Sequence, residues 1–455
     1  MQDFDLIVLG SGAGLMLARA AAEKGLRTAL IESDACGGTC LNRGCIPSKM
    51  LIYPCARAAA MRRSSGLNLV HAGVKVDFAA LVARTCRTVD SYSAGLEHRL
   101  HETPGLELIR ARASFVGPRI VEAGGRRLTA PLVLIATGSR PAVPSIPGLA
   151  DTPYMTSRAA LRRDTLPRRL LVIGGGYIAV ELGFVYAAAG ADVTFLVRSR
   201  LLRHEDPEIA AEFARAFASR HNIRSGTMVT SVEHTGGVFR ATVRDAAGNQ
   251  DVLQAEALLV AAGVVPETDG LNLASANVAV DEHGHVLVDG HLRTSAPGVY
   301  ALGDVIGRHL YRHTANYEAK YLIRCLLEGA AAPLDYGPVP HAVFSDPEVA
   351  AAGMTEPQAR TAGHDCVIGT ARYADSTPGE ARGLTDGLCK LIFDRPTRRL
   401  LGAHLVGEDA ATLAQVMVAA MKQKATLDTL LDTIVIHPAL GEILADAWTD
   451  ARDRW

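Results

Sequence analysis

The sequence of 455 residues lacks several features that would define a class of protein. No uninterrupted apolar run approaches the roughly 20 residues that a membrane-spanning helix needs, so we expect no membrane partner. Neither sign of charge dominates, because 47 Lys and Arg residues stand against 48 Asp and Glu residues. A formal net charge of -1 gives no indication of nucleic acid as a partner.

Cysteine is also scarce, with eight residues in the whole chain. That number is too small for a disulfide scaffold, and the opening MQDFDLIVLG lacks the positive charge of a signal peptide. We therefore expect a cytoplasmic protein in which any disulfide takes part in chemistry. A hydrophobic content of 48% excludes disorder, and the length suggests about three domains.

Two βαβ patterns recur about 160 residues apart. The first predicts a strand over 5–9, a glycine turn, a helix over 15–24 and a strand over 28–31. The second predicts a strand over 170–173, a turn over 174–176, a helix over 177–189 and a strand over 192–197. After about residue 337 the glycine turns stop, and a strand over 390–393 and a helix over 411–422 indicate a separate α+β segment.

The first glycine turn has the spacing of a dinucleotide fingerprint. Gly10 permits a tight turn, and Gly12 lets backbone N–H groups approach a pyrophosphate at the start of the helix. Gly14 follows, and Leu15 stands where the third fingerprint glycine is expected, so the packing of helix on strand has to adjust. Glu32, 22 positions after the first glycine, is placed to accept a hydrogen bond from a ribose hydroxyl.

The second turn has the G-x-G-x-x-A form, beginning with Gly174 and Gly176. Where an NAD site places a carboxylate, this chain has Val197, followed closely by Arg198 and Arg203. Guanidinium groups bind a 2′-phosphate that a carboxylate would repel, so we expect NADP in preference to NAD. The alternative is an ordinary basic turn on the surface.

Residues 37–49 read GGTCLNRGCIPSK and contain Cys40 and Cys45. These cysteines are candidates for structural thiols, for half of a metal site or for a reactive disulfide. Zinc sites usually need C-x₂-C spacing and a second ligand pair, which the sequence does not offer, so we expect no metal. The position directly after a dinucleotide fingerprint favours the reactive disulfide.

Three further motifs accompany this one: ATG at 136–138, TSAPGVYALGD at 294–304 and HPALGE at 437–442. With them the chain closely resembles the flavin-dependent pyridine nucleotide–disulfide oxidoreductases over nearly its whole length. The resemblance implies an α/β fold with two Rossmann-like dinucleotide-binding domains, for FAD and NAD(P), and a C-terminal α+β dimerisation domain. The expected segments are 1–150 (FAD), 151–265 (NAD(P)), 266–336 (FAD and central) and 337–455 (dimerisation).

The resemblance also implies catalytic roles. Cys45 would face the flavin, and Cys40 would exchange with the substrate disulfide. His437 would act as the acid–base, oriented by Glu442, and would reach the disulfide of the other subunit in a homodimer with composite active sites. These roles agree with the chemistry, because only a thiolate attacks a disulfide and a nearby base must take and return protons.

Lys49 and Glu181 match the pair that lies beside the flavin in this family, and Tyr177 matches an aromatic residue that gates the nicotinamide pocket. Asp304 would bind the ribityl chain. The residues implied for binding FAD and NAD(P) are Gly10, Gly12, Gly14, Glu32, Thr39, Lys49, Ala136, Thr137, Gly138, Gly174, Gly176, Tyr177, Arg198, Arg203, Gly263, Gly303, Asp304 and Ala315.

Two departures from the family pattern bear on the substrate. Residues 263–267 lack the arginine that relatives often carry there, and the C-terminus lacks the vicinal cysteines of mercuric reductase. We rank a dihydrolipoamide-dehydrogenase-like oxidoreductase first, acting on a small-molecule or lipoyl-domain dithiol. An NADPH-dependent reductase of mycothiol or glutathione disulfide is the close alternative.

A third hypothesis is a flavoprotein that serves mainly as a structural or interaction subunit. The presence of Cys40, Cys45 and His437 argues against it. Cys36 could compete as a disulfide partner, and we expect it to be inert.

Overall fold

The computed structural model describes residues 1–70 and 73–455. They form two compact units. The first consists of Met1–Ser48, Val82–Ala142 and Gly263–Tyr336, and the second of Lys49–Leu81, Val143–Ala262 and Gly337–Trp455. The division into four segments given above stays a prediction.

The strands, in chain order, are β1 Gln2–Asp3, β2 Leu6–Leu9, β3 Thr28–Glu32, β4 Leu106–Arg110, β5 Ala113–Gly117, β6 Ile120–Ala123, β7 Arg126–Thr129, β8 Leu132–Ile135, β9 Ser139–Pro141, β10 Arg169–Ile173, β11 Asp192–Val197, β12 Asn222–Ser225, β13 Met228–Thr235, β14 Val238–Arg244, β15 Gln250–Ala255, β16 Ala257–Val260, β17 Val264–Pro266, β18 Val299–Ala301, β19 Pro340–Val343, β20 Glu348–Gly353, β21 Cys366–Arg372, β22 Leu388–Asp394 and β23 Leu400–Gly407.

The α-helices are α1 Gly14–Glu23, α2 Gly38–Arg43, α3 Cys45–Arg63, α4 Phe78–His101, α5 Ser157–Ala160, α6 Tyr177–Ala189, α7 Pro207–Ala218, α8 Arg312–Leu327, α9 Glu356–Thr361, α10 Thr377–Ala381, α11 Ala410–Lys422, α12 Leu427–Leu431 and α13 Glu442–Asp453. Short 3₁₀ turns occur at Ser64–Leu67, Leu149–Asp151, Leu273–Ala276, Gly303–Ile306 and Tyr373–Asp375.

The first unit is built on a parallel five-stranded sheet with the order β18-β8-β2-β3-β4. All four residues of β2 are buried, as the continuous apolar run predicts for a strand covered on both faces. Helix α1 packs its small residues Ala18 and Ala21 into the same core. A second sheet, β1-β7-β6-β5, and the pair β17-β9 complete the unit. The order of the central sheet places the β2–α1 turn at the carboxyl ends of the strands, where nucleotides bind in such folds.

The second unit contains a parallel sheet, β12-β11-β10-β16, and an antiparallel three-stranded sheet, β13-β14-β15. Its C-terminal part is an antiparallel five-stranded sheet with the order β19-β20-β23-β22-β21. Helix α13 lies on β21 so closely that a Cβ atom at Gly369 would overlap the backbone of Ala447. The close approach explains why a glycine stands in the middle of a strand.

The predicted α/β class is confirmed, with two dinucleotide-type parallel sheets and a C-terminal α+β segment. The predicted helix 177–189 and strand 192–197 have the observed bounds, and the other predicted elements differ by one or two residues at their ends. Within residues 1–70 and 73–455, no helix is long and apolar enough to cross a membrane. The same residues contain no cluster of His, Cys, Asp or Glu that could hold a metal ion.

Candidate functional site

The first glycine turn joins β2 to α1. Gly10 has a φ of 101°, and a Cβ atom there would lie 2.5 Å from the carbonyl oxygen of Ala136. A Cβ atom at Gly14 would lie 2.8 Å from the Cβ of Ala136 and 2.9 Å from Val8. Gly14 therefore allows the close packing of helix on sheet, one position before Leu15, which replaces the third glycine of the fingerprint.

Glu32 ends β3 and closes this turn. Its Oε2 atom accepts hydrogen bonds from the backbone N–H of Ser11 at 2.9 Å and from the Ser11 hydroxyl at 2.6 Å. Its Oε1 atom accepts from the N–H of Asp34 at 2.8 Å. The Oε1 atom, which has this one donor, can accept a second. Glu32 is thus fixed in position and can still accept from a ribose hydroxyl.

Asn42 holds the loop that leads into the predicted redox motif. Its side-chain NH₂ group has two N–H donors, which three carbonyl oxygens share: those of Ala35 at 3.1 Å, Cys36 at 3.0 Å and Gly38 at 3.0 Å. The bonds fix the backbone at the start of α2, the short helix that carries Cys40. The first cysteine of the motif therefore has a defined position before any substrate arrives.

Cys40 lies in α2, and Cys45 is the first residue of α3. Both are thiols here and are in hydrogen-bond contact. This bond, and then burial, raise the pKa of the Cys40 thiol, whereas the charge of Arg312 lowers it. The structure thus brings the two cysteines together, as a reactive disulfide requires.

Cys36 differs from this pair. Its side chain is buried, and burial raises the pKa of its thiol to about 11. Cys36 is fully buried, whereas Cys40 is partly exposed, so a substrate disulfide has no direct access to the Cys36 sulfur. The environment supports the expectation that Cys36 is inert.

The start of β9 and the 3₁₀ turn at Gly303–Ile306 place two polar groups near each other. The Ser139 hydroxyl donates to Oδ2 of Asp304 at 2.6 Å, and burial raises the pKa of Asp304. In the ATG motif, which directly precedes Ser139, the buried hydroxyl of Thr137 has no hydrogen-bond partner. Gly303 has a φ of 77°, and a Cβ atom there would lie 3.4 Å from the Cβ of Ala315. The predicted residues Ala136, Thr137, Gly138, Gly303, Asp304 and Ala315 all belong to the first unit.

Thr39 and Gly263 complete the predicted set in this unit. Thr39 is exposed on α2, beside Cys40. Gly263 has a φ of 122°, and its carbonyl accepts from the N–H of Ala142 at 2.9 Å, next to the β17-β9 pair. The structure shows no side-chain contact that would assign a cofactor role to either position.

In the second unit, Lys49 and Glu181 form an ion pair. The Lys49 Nζ donates to the two carboxylate oxygens at 2.9 and 2.8 Å, and Glu181 is buried. The backbone N–H of Phe344 donates to Glu181 at 3.0 Å, and Lys49 lies 4.5 Å from the centre of the Phe344 ring. Phe344 was missed by the sequence analysis, because nothing in its neighbourhood marks it as part of a site.

The second glycine turn joins β10 to α6. Gly174 has a φ of 140°, and a Cβ atom there would overlap the carbonyl oxygen of Ala261, whereas a Cβ atom at Gly176 would meet nothing within 4 Å. At the end of β11, Arg198 and Arg203 are exposed. The open side of the turn is a place where a nucleotide phosphate could approach the backbone.

Two contacts shape the basic turn after β11. The Arg200 guanidinium donates to the carbonyl oxygen of Arg203 at 3.0 Å, and the Arg203 Nε lies 3.0 Å from the His204 ring nitrogen. Tyr177, the first residue of α6, is 39% exposed. Arg200 was not among the predicted binding residues, although it supports the backbone of the turn.

His437 and Glu442 are hydrogen-bonded, with Nδ1 and Oε1 2.7 Å apart. This bond lowers the pKa of Glu442, whose Oε2 also accepts from the N–H of Ala439 at 3.1 Å. The His437 side chain is 73% exposed. A carboxylate on Nδ1 fixes the tautomer and leaves Nε2 for proton transfer, so the pair can serve as an acid–base.

Comparisons with known proteins agree with this set of groups. Residues 4–319 match the model of the pyridine nucleotide–disulphide oxidoreductases, and residues 339–448 match the dimerisation domain of the same family. The chain belongs to the pyridine nucleotide–disulphide oxidoreductase family.

Individual relatives are similar over their whole length. A mycothione reductase of Mycobacterium tuberculosis is 35% identical over 464 residues, which cover 98% of this chain and 99% of the relative. A dihydrolipoyl dehydrogenase of Chlorobaculum tepidum is 34% identical, with 98% and 97% covered. The solved Cu(II) complex of the HOCl-induced flavoprotein disulfide reductase RclA from Escherichia coli has a TM-score of 0.89 at 30% identity, with 99% of each chain covered.

The chain is therefore an FAD-dependent oxidoreductase that acts on sulfur groups with NAD(P)H, as predicted. Its residues fit FAD: Gly10 and Gly12 carry no side chain in the first turn, Glu32 can accept from a ribose, and the buried Thr137 hydroxyl needs a partner. When bound, FAD supplies two-electron transfer between a nicotinamide and a dithiol–disulfide pair.

Proposed function

We propose that the chain is a cytoplasmic, NADPH-dependent reductase of a low-molecular-weight disulfide. The observation that carries this proposal is the basic turn after β11, where Val197 is followed by the exposed Arg198 and Arg203 and no carboxylate intervenes. Such a turn suits the 2′-phosphate of NADPH. NADPH normally supplies reducing power, which favours reduction of a disulfide. For this reason we now place the reductase ahead of the dihydrolipoamide-dehydrogenase-like activity that the sequence analysis ranked first.

Cys40 acts as the attacking thiolate in this proposal. Its sulfur bonds to one sulfur of the substrate disulfide, the substrate S–S bond breaks, and the leaving thiolate takes a proton from His437. Cys45, as a thiolate, then attacks the Cys40 sulfur. The second substrate thiolate leaves and is protonated, and the Cys40–Cys45 disulfide forms. The hydrogen-bond contact between the two cysteines supports this order of events.

The other predicted residues have supporting roles. Glu442 keeps the Nδ1 atom of His437 occupied, so that Nε2 exchanges protons with the leaving thiolate. Glu181 binds Lys49 through both carboxylate oxygens and fixes the direction of its ammonium group. Tyr177 lies at the start of α6, beside the second glycine turn, where a nicotinamide nucleotide would pass.

The active site is composite in this proposal, with His437 serving the cysteines of a second copy of the chain. The match to a dimerisation domain supports a homodimer. Ile434 and Ile436, which both precede this histidine in the chain, are 97% and 78% exposed. Large apolar side chains so exposed are typical of a surface that another chain covers. Each of two equivalent sites would then borrow one histidine.

A second candidate is the oxidation of a dihydrolipoyl group. The specific observation in its favour is the dihydrolipoyl dehydrogenase that matches over 98% of this chain at 34% identity. The same cysteines and histidine would serve the reverse direction. In that case the lipoyl group would be a small molecule or be carried by a protein domain, and NAD would be the natural acceptor.

Steady-state rates with a panel of substrates distinguish these candidates. The purified enzyme is assayed with NADPH and with NADH against mycothiol disulfide, glutathione disulfide and lipoamide, and with NAD against dihydrolipoamide. We expect the highest kcat/KM with NADPH and one of the two thiol disulfides. A higher kcat/KM for dihydrolipoamide with NAD would establish the second candidate instead.

Subunit mixing tests the composite site. A Cys45→Ser chain and a His437→Ala chain, each inactive alone, are co-expressed with different tags, and the mixed dimer is isolated. One site of that dimer has both cysteines and a histidine, so we expect about half of the normal activity. A mixture of Cys40→Ser and Cys45→Ser chains is the control, because neither arrangement restores a complete pair. No recovery in the first mixture would show that each site is built within one chain.

A further inference from the structure

The basic turn after β11, residues 198–203, brings three arginines together: Arg198, Arg200 and Arg203. Like charges repel one another, and no carboxylate stands between them in the chain. Leu202, inside the turn, has a φ of 44°, in the left-handed region that is unfavourable for a leucine. Such a conformation persists only where the surrounding structure fixes it. The basic turn therefore depends on contacts with the rest of the second unit.

The inner side of the basic turn rests on the second glycine turn. The side chains of Leu201 and Leu202 are buried, although the arginines around them are exposed. The Leu202 N–H donates to the carbonyl oxygen of Gly175 at 2.8 Å. A Cβ atom at Gly175 would lie 3.3 Å from the carbonyl oxygen of Arg200. The two segments that a nicotinamide nucleotide would contact are thus joined directly.

The far end of the basic turn is bound through Glu205, which follows Arg203 by two residues. The Glu205 N–H donates to the carbonyl oxygen of Leu202 at 3.0 Å. Its carboxylate is buried, and the Nε2 atom of His341 lies 2.8 and 2.9 Å from the two carboxylate oxygens. His341 belongs to β19, more than 130 residues further along the chain.

Asp206, the next residue, is bound by the same part of the chain. It is completely buried, and its Oδ1 atom accepts from the Nζ atom of Lys390, on β22, at 3.0 Å. Its Oδ2 atom accepts from the N–H of Glu356 at 3.0 Å. The Lys390 ammonium, itself 1% exposed, also contacts the carboxylates of Glu356 and Glu208 at 2.7 and 2.8 Å. The backbone that follows the basic turn is therefore fixed by buried ion pairs.

We propose that Glu205 and Asp206 are positioning residues, which fix the basic turn in the conformation that receives the 2′-phosphate of NADPH. The inference rests on the proposed preference for NADPH. A turn that is ordered before the nucleotide arrives loses less conformational freedom on binding, so the phosphate is bound more tightly. Their partners His341 and Lys390 then affect nucleotide specificity without touching the nucleotide. NADH has no 2′-phosphate, and its binding does not depend on the arginines.

The test is the nucleotide dependence of a His341→Ala holoenzyme. Loss of the imidazole leaves the Glu205 carboxylate without this partner and loosens the end of the basic turn. We expect the KM for NADPH to rise about fivefold, while the KM for NADH and kcat with either nucleotide stay the same. Calorimetry with adenosine 2′,5′-bisphosphate should show the same rise in Kd, and calorimetry with 5′-AMP should show none.

The chain offers a matched control in His364. Its Nδ1 atom lies 3.0 Å from Oδ1 of Asp394, and the two histidine–carboxylate pairs are about equally exposed. His364→Ala removes such a pair from the same unit without touching the basic turn, so it should leave the constants for both nucleotides unchanged. His341→Gln places an amide N–H near the position of Nε2 and should recover most of the affinity for NADPH.

A second variant and a changed background make the test independent of folding. Glu205→Gln keeps the size of the side chain, weakens the pair with His341 and should raise the KM for NADPH in the same direction. In a chain that already carries Arg198→Gln and Arg203→Gln, His341→Ala should add no further rise, because it acts through those arginines. Equal rises for NADPH and NADH in His341→Ala, or an additive rise without the arginines, would overturn the inference.

The proposed function fails in a different way. If the wild type bound adenosine 2′,5′-bisphosphate no more tightly than 5′-AMP, the preference for NADPH itself would be wrong. If the wild type preferred the bisphosphate and His341→Ala kept that preference in full, only the positioning role would be lost. The two results are therefore distinguishable.

Discussion

The two glycine turns of this chain have the same kind of backbone geometry at their first glycine. Gly10 and Gly174 both have positive φ values, 101° and 140°, and each faces a backbone carbonyl that leaves no room for a Cβ atom. In neither turn does the second glycine face a backbone carbonyl: a Cβ atom at Gly176 would meet nothing within 4 Å, and one at Gly12 would meet only the end of the Arg312 side chain, at 3.6 Å. The first glycine makes the turn, and the second leaves the backbone accessible.

The turns differ in the charge around them. The first has a carboxylate, Glu32, at the end of its second strand, and the half-buried Asp304 belongs to the same unit. The second has Val197 at that strand end, followed by the exposed Arg198 and Arg203. Glycines therefore determine that a dinucleotide-type turn forms, whereas the residues after the second strand determine which nucleotide suits it.

The first glycines should show the largest effect. Gly10→Ala or Gly174→Ala forces a Cβ atom against a carbonyl oxygen at a φ that only glycine adopts readily. We expect a loss of about 3 kcal/mol or more in the free energy of unfolding, because strain and overlap add. Thermal unfolding of the holoenzyme measures the loss as a lower melting midpoint.

Gly176→Ala is the matched control for this prediction. The backbone at Gly176 does not require glycine, and the space that a Cβ atom would fill is empty. Stability should therefore change by less than about 0.5 kcal/mol. The KM for NADPH should nevertheless rise, since the added methyl group stands where the backbone meets a phosphate. Equal melting midpoints for Gly174→Ala and Gly176→Ala would contradict the division of roles between the two glycines.

Nucleotide preference should show the next largest effect. Replacing Arg198 and Arg203 by Gln removes two charged donors for the 2′-phosphate. We expect the KM for NADPH to rise about 30-fold, at about 1 kcal/mol for each exposed contact, and the KM for NADH to stay the same. Arg240→Gln, an exposed arginine on β14, is the control. A wild-type enzyme that uses both nucleotides equally would refute the argument from the arginines.

The sequence predicted the glycine turns well because local backbone geometry dictates them. It did not predict groups that become neighbours only through the fold. Phe344 contacts both Lys49 and Glu181, although it lies more than 160 residues further along the chain than Glu181. Lys390 interrupts an apolar strand, and its buried ammonium binds Asp206 at 3.0 Å. Neither partnership leaves a pattern in the sequence, because the pairing depends on how distant elements pack.

Glu32 should show a smaller effect than the arginines. Glu32→Gln keeps an acceptor but removes the charge, and with it part of the interaction with a ribose hydroxyl and with the Ser11 hydroxyl. We expect the Kd for FAD to rise about fivefold, at about 1 kcal/mol, and the KM for NADPH to stay the same. Flavin fluorescence released on dilution measures this Kd. Glu23→Gln, on the exposed end of α1, should change neither value, and a shift in the KM for NADPH would show that the two turns are not independent.

Asp304 should give the smallest effect, visible only as a dependence on pH. Because burial raises its pKa in the folded protein, the folded state binds this proton more tightly than the unfolded state. The stability from Asp304 is fully present below the ordinary carboxyl pKa and is lost as the pH rises through the raised pKa. Asp304→Asn should therefore make the FAD-free protein more stable than the wild type at pH 7, with the difference disappearing near pH 3.

Asp281, whose pKa is lowered by hydrogen bonds from His285 although burial opposes them, gives the opposite sign. Asp281→Asn should cost stability at pH 7 and little near pH 3. Urea unfolding at both pH values measures the two differences, and a loss of stability at pH 7 in Asp304→Asn would show that the Ser139 hydrogen bond outweighs burial.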